Sequence, residues 1–331
     1  MVSRSRRLPL GAVRPKRRER KAALSLHAVV SIGTNSTRLL IVRESVDGKL
    51  EPILHRSIGT RLGAQLRESG ALDPEARERT LSVIGDYARE LRSYDADAAA
   101  IATSAMRRAS DGAQFAEEVE RHIGARLEIL SGPREAELSF IGATANRTRN
   151  GELLGVIDIG GGSTEYASGK IHVEGRVSCE IGAVRLSEAI PALLGADVPR
   201  EIPALEEEAR SYIRDRLVAL KDFLRPKGVF AVGGTIFNAA AIVADRDRED
   251  IDGIVLSRAA LTELARKFLA MDTAVRRVQP RISPQRADIF PAGLLIADEA
   301  LGILDVDRCT VSQRDLLYGY LIEKYRHPAG G

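Results

Sequence analysis

"GVIDIGGGSTEYASG" spans Gly155–Gly169 and reads as an apolar run, an acid, three glycines and then Ser-Thr-Glu. A tight polar hairpin would account for the glycines and hydroxyls. A phosphate cradle would account for the acids as well, because glycines admit an anion to the backbone and hydroxyls donate to it. The rest of the chain separates the two readings. Aligned without a gap, "SIGTNSTRL" (Ser31–Leu39) faces "DIGGGSTEY" (Asp158–Tyr166), with Ile, Gly, Ser and Thr identical in place. Each copy sits between apolar, strand-like runs near the start of its half. This predicts a duplicated domain whose two hairpins face each other across a cleft and clamp a phosphate chain. The candidate contacts are Thr34, Asn35 and Ser36 in the first copy, and Gly160, Gly161, Gly162, Ser163 and Thr164 in the second.

Strands and helices alternate in both halves, which argues for an α/β protein. Asp73 as an N-cap and Pro74 at the first helical position predict a helix over 73–94. "GAQFAEEVERHIG" reads as a helix closed by Gly124, and a further helix is expected from about Pro133 to Asn146. "AAAIATSAMRRAS" reads as a buried strand running into a polar turn, Asp47-Gly48 as a hairpin turn, and "SPQRADIFPAGLLIADEALGIL" as helical throughout. A break at "TRNGE" divides the chain into domains at 27–148 and 149–331, after a basic tail at 1–26. "VGGT" (Val232–Thr235) opens a helix from a strand. Gly233, Gly234 and Thr235 there make either an anion site or a close helix–strand contact.

Hydrophobic residues make up 44% of the 331 and charged residues 29%, a globular composition. No apolar run reaches the ~20 residues that cross a bilayer, so no membrane partner is expected. Residues 1–21 hold nine Lys/Arg against Glu19, which leaves 40 basic and 45 acidic residues elsewhere. The tail is either a contact for polyanions or a simple extension. Cys179 and Cys309 are isolated, apolar in context and consistent with a cytoplasmic protein. The five histidines have no metal-type spacing.

Hydrolysis of a phosphoanhydride needs an in-line water, charge neutralisation and a residue that orients or deprotonates the water. Asp158, ending a buried strand, is placed to hold Mg²⁺ through waters, with Glu165 as a second metal candidate. Seven ordered blocks carry a resemblance: "SIGTNSTRLLIV", "IATSAMRRAS", "ILSGPREAELSFIGA", "GVIDIGGGSTEYASG", "EIGAVRLSE", "FAVGGTIFNAAAI" and "RADIFPAG". Together they resemble the exopolyphosphatase/guanosine pentaphosphate phosphohydrolase (Ppx/GppA) family in its compact two-domain form. The resemblance implies duplicated ribonuclease-H-like domains of the actin-like ATPase superfamily, with an interdomain cleft. It also implies catalytic roles for Glu165 and for Glu135 in "SGPREA", the latter as general base. Glu135 begins a helix, where the dipole also favours an acid.

Arg38 and Arg107 match family positions directed at substrate, as does Arg185, which could equally brace the fold. Arg108 is either a phosphate contact or a solvated charge. Thr103 and Ser104 add hydroxyls or cap a helix. Four departures stand out: Ser31 where the first hairpin usually has Asp, Arg134 for the first Glu of a pair, Ile236-Phe237-Asn238 after "GGT", and Ser312-Gln313-Arg314-Asp315 for a Ser-Asp-Arg-Gly pattern. The implied activity is removal of terminal orthophosphate from inorganic polyphosphate with Mg²⁺. The alternatives are hydrolysis of pppGpp to ppGpp, nucleotides of the stringent response, or a binding protein that has lost turnover. A homodimer is left open.

Overall fold

The computed structural model describes residues 26–45, 49–145, 147, 150–195 and 201–325. The basic tail up to residue 25 and the Asp47-Gly48 turn lie outside the described residues. Five strands form the first sheet: β1 (Leu26–Ile32), β2 (Thr37–Glu44), β3 (Leu50–Ile58), β4 (Asp97–Ala102) and β5 (Leu127–Ile129), in the order β3-β2-β1-β4-β5. The second sheet holds β6 (Leu154–Ile159), β7 (Thr164–Gly169), β8 (Val173–Cys179), β9 (Gly228–Val232), β10 (Val255–Ser257) and β11 (Arg308–Val311), in the order β10-β11-β9-β6-β7-β8.

Read from β8, the second sheet repeats the first. β1–β2–β3 and β6–β7–β8 are antiparallel meanders, while β1, β4, β5 and β6, β9, β11 run parallel. β10 is an added antiparallel edge on β11. The duplication read from the two hairpins is therefore a duplication of the whole ribonuclease-H-like sheet. Parallel neighbours need crossovers, and helices supply them. The main helices are α1 (Pro74–Tyr94), α2 (Ser104–Arg108), α3 (Gly112–Ile123) and α4 (Gly132–Thr144) in the first half. The second half adds α5 (Ala183–Ala189), α6 (Ile202–Arg216), α7 (Gly234–Ala244), α8 (Arg258–Leu269), α9 (Phe290–Ile303) and α10 (Leu316–Tyr325).

Local signals set the helix ends. The Asp73 carboxylate accepts from Ala76 N at 2.8 Å, with Pro74 next to it, and Gly124 closes α3 at a φ of 74°. Two expectations need correction. The stretch after β4 is the buried short helix α2, because Ala105 and Met106 pack into the first core. Residues 283–289 are not helical. Arg286 turns into the cleft, Asp288 O accepts from Arg276, and the helix starts only at Phe290, with Pro291 in its first turn.

The break near residue 148 separates the sheets but not the helices. On α4, Ala136, Phe140 and Ala143 form a stripe at helical spacing that packs into the core of the second sheet. Leu138 of α4 joins Leu316, Leu317, Leu321 and Ile322 of α10 against Val29, Leu40 and Ile101 of the first sheet. The two helices cross at contact distance. A Cβ on Gly142 would lie 2.1 Å from Asp315 O, and one on Gly319 would lie 1.8 Å from Leu138 O. Arg134, the residue that departs from the family pair, ties the same crossing by bonding Glu137 of α4 and Glu323 of α10.

Candidate active site

The two hairpins are built alike. Gly33 N donates to Ser36 O at 3.0 Å in the first, and Gly160 N to Ser163 O at 3.0 Å in the second. In each, the tip carbonyls are tied back from behind. Thr34 O and Asn35 O accept from Gly63 N and Arg61 N, while Gly160 O and Gly161 O accept from Ala183 N and Val184 N at the start of α5. With the carbonyls held, the tips present N–H groups and hydroxyls to the space between the lobes, the arrangement that suits an anion.

That space is a cavity of about 100 Å³. Asp158, Glu165 and Glu135 line it together with Arg38, Arg248 and Arg286. Glu135 sits in the first turn of α4, and Ser139, one turn on, shares its face. Ser139 Oγ donates to Asp158 Oδ2 at 2.7 Å, which fixes that carboxylate at the end of β6. Asp158 and Glu165 are directly opposite in the β6/β7 ladder, and Glu165 Oε1 accepts from Ser178 Oγ of β8 at 2.7 Å.

Three carboxyls in one dry site repel one another and resist ionising. Burial raises Glu135 to about 7, against the pull of Arg107, whose Nη1 donates to its Oε1 at 2.5 Å. Burial and the Glu135 and Asp158 charges push Glu165 well above the usual carboxylate range. Burial and Asp315 raise Asp158 to about 6. A carboxylate poised near 7 is suited to take a proton from water.

The same lining is also cationic. Arg38 of β2 pairs with Asp315, which caps α10 by accepting from Leu317 N at 3.0 Å. Arg286 is 9% exposed; burial, with Arg248 and Arg38 nearby, lowers it to about 9. It reaches the cleft because Gly234 has no side chain: a Cβ there would lie 2.3 Å from Arg286 Cζ. Burial and the same arginines lower His55, which also lines the cavity, to about 4, so it is neutral near pH 7.

Of the residues singled out in the sequence, Thr34, Asn35, Ser36, Arg38, Glu135, Asp158, the three hairpin glycines, Ser163, Glu165, Gly233 and Gly234 line the cavity together. Six are placed elsewhere. Thr164 Oγ1 donates to Ile181 O and is buried in the hairpin's own fold. Thr235 is fully buried against Gly293 of α9. Arg107 binds Glu135 and Leu130 O rather than lining the cavity. Ser104, Arg108 and Arg185 line a neighbouring crevice. Sequence reading missed Arg286, Arg248, His55 and Asp315 as site residues. Arg286 lay inside the quoted "RADIFPAG" block, where a lone arginine among apolar residues was the available signal. Arg248 lay in a charged run that resembles a solvated loop. Asp315 registered only as a departure.

No group of three or more acidic, His or Cys side chains among the described residues is clustered tightly enough to cage a metal by itself. The donor set is nevertheless all oxygen. Two opposed carboxylates, hairpin hydroxyls and room for waters and a phosphate fit an ion such as Mg²⁺, which keeps waters and takes one or two carboxylates.

Residues 41–327 match the model of the Ppx/GppA phosphatase family. Exopolyphosphatase 2 of Mycobacterium tuberculosis is 32% identical over 90% of this chain and 98% of its own length. The guanosine-5'-triphosphate,3'-diphosphate pyrophosphatase of Vibrio vulnificus is 27% identical over 90% of this chain, which spans only 59% of it. The crystal structure of the Aquifex aeolicus Ppx/GppA family member superposes with a TM-score of 0.75 at 28% identity, covering 92% of this chain and 100% of that one. The chain belongs to the Ppx/GppA phosphatase family, as the sequence blocks implied.

Proposed function

We propose that this protein is an exopolyphosphatase that releases orthophosphate from the end of linear inorganic polyphosphate. The observation that carries the reading is a cavity of about 100 Å³ lined by Glu135, Asp158 and Glu165 together with Arg38, Arg248 and Arg286, acids and arginines gathered in a phosphoryl-sized space. Glu135 takes a proton from a water as the water oxygen bonds to the terminal phosphorus. The bridging P–O bond breaks, and its electron pair leaves with the shortened chain. Arg38 and Arg286 hold the charged oxygens, and the hairpin N–H groups receive the equatorial ones. We further propose that Mg²⁺, held by Asp158 and Glu165, would neutralise the transferring group; the high proton affinity of these acids is what a divalent cation offsets.

No helix among the described residues is long and apolar enough to cross a membrane. Cys179 and Cys309 are buried free thiols, in keeping with a cytoplasmic site of action. Hydrolysis of pppGpp to ppGpp is the second reading, supported by the similarity to the Vibrio protein. Orthophosphate release from long-chain polyphosphate, pppGpp and ATP, with and without Mg²⁺, tests both. Release from polyphosphate above all, and only with Mg²⁺, is expected. A preference for pppGpp would establish the second reading, and release from none would leave only a binding role.

A further inference from the structure

A second crevice lies beyond the tips of the two hairpins. Thr34 and Gly162 line both it and the hydrolytic cavity; Ser104, Arg108, Arg185 and Glu188 are its other polar lining residues, beside apolar ones such as Leu66 and Val184. A Cβ on Gly162 would lie 2.6 Å from Thr34 Oγ1 and 2.8 Å from Ser104 Oγ, so only small hydroxylic side chains separate the two spaces.

Two of its lining arginines, from opposite lobes, share the carboxylate of Glu180. Glu180 Oε2 lies 2.5 Å from Arg185 Nη1 and 3.7 Å from Arg108 Nε. The Glu180 side chain is 57% exposed, against 11% for Arg185. Ser104 Oγ and the Nε and Nη2 of Arg185 are buried without a partner among the described residues. Buried donors are almost always satisfied, so a set of three around one crevice calls for a ligand rich in acceptors. Burial and the neighbouring Arg185 also lower Arg108, a cation pair that an incoming anion relieves. An exposed carboxylate between two guanidinium groups occupies the position that phosphate oxygens fill well.

We propose that this crevice is a second phosphate subsite, holding the adjoining part of a linear polyphosphate while its end is cut in the hydrolytic cavity. The inference rests on the polyphosphatase reading above and narrows its substrate to a bare phosphate chain. Arg108 and Arg185 exchange Glu180 for phosphate oxygens, and Ser104 donates its hydroxyl. The chain crosses at Gly162, where the second hairpin meets Thr34 and Ser104, and its entry opens that contact. In the closed arrangement the crevice measures about 10 Å³, so the lobes part as the chain enters. Arg108–Glu180 is an interlobe contact that yields.

Steady-state KM for long-chain polyphosphate and the competitive inhibition constant of orthophosphate, which fills the hydrolytic cavity alone, measured on Arg108→Gln and Glu180→Gln, test this. Arg108→Gln is expected to raise KM for the long chain about tenfold, or about 1.4 kcal/mol, and to leave the orthophosphate constant unchanged. Glu180→Gln removes the competing carboxylate and is expected to lower KM for the long chain. If the pair only braces the lobes, both variants move KM in the same direction, and the subsite is refuted. An equal shift in the orthophosphate constant refutes it too. Calorimetric titration of the same proteins with long-chain polyphosphate separates this inference from the hydrolytic reading. Should the wild type release no orthophosphate, that reading fails. Weaker binding by Arg108→Gln and tighter binding by Glu180→Gln would still establish the subsite, and unchanged binding would refute it.

Discussion

The hairpins at 33–36 and 160–163 share a turn bond, tied-back carbonyls and a place in matching sheets, yet they carry opposite charge. The facing ladder pair is Ser31 and Arg38 in the first and Asp158 and Glu165 in the second. On the proposed function, the duplicated scaffold is divided into a cationic wall, carrying Arg38, that would hold phosphate and an acidic wall, carrying Asp158 and Glu165, that would activate water and accommodate a cation. Asp315 adds a twist to the cationic wall. Through it, α10 brings a carboxylate to Arg38 and close enough to Asp158 to raise that acid. The acid missing at Ser31 is therefore offset by one from a distant segment, although its carboxylate is engaged by arginine.

The acidic wall should show the largest effect. Glu135→Gln and Glu165→Gln are each expected to lower orthophosphate release about a thousandfold, within the range lost with a general acid or base, while the circular dichroism spectrum stays unchanged. Turnover near wild type in either variant would place the chemistry elsewhere.

The cationic wall should show itself in binding. Arg38→Ala is expected to raise KM for polyphosphate about tenfold, the scale of one charged hydrogen bond. It also strands Asp315, which is 2% exposed, at a cost of about 3 kcal/mol in unfolding free energy. Adding Asp315→Asn should restore the melting temperature and leave KM high. If KM recovered with stability, Arg38 would be a brace and the two walls would not be functionally distinct.

The smallest effect is a shift along the pH axis. With Glu135 at about 7, kcat/KM at saturating Mg²⁺ should fall as pH drops through that value, because the base is then protonated. Arg107 pulls Glu135 down, so Arg107→Gln should move the midpoint to higher pH. The same raised carboxyl binds an extra proton in the folded state between about 4.5 and 7. Its contribution therefore makes stability decline as pH rises across that window, and Glu135→Gln should flatten the decline. A midpoint that does not move in Arg107→Gln would remove the arginine from the tuning of the base.

What could be read in the sequence follows from how local each cause is. The duplicated hairpins, the strands around them and Glu135, Asp158 and Glu165 all lie within short patterned stretches. Thr164 and Thr235 were misjudged because a hydroxyl in a glycine turn has two sides, and spacing does not say which faces the ligand. Arg286 and Arg248 reach the cleft from segments about 100 residues beyond the second hairpin, so their convergence exists only once the second sheet has closed. Arg134 looked like a lost acid. Its partner Glu323, near the other end of the chain, explains it only after α4 and α10 have crossed.

That crossing bears on what counts as half of this protein. The chain up to residue 148 carries the first sheet but covers the second with α4, and the remainder carries the second sheet but covers the first with α10. Either fragment made alone would expose the apolar patch its absent helix normally hides, beside a helix of its own with nothing to dock on. The duplication seen in the sequence is thus no longer a pair of separable units. Each copy completes the other, and the cleft between them forms only when both are present.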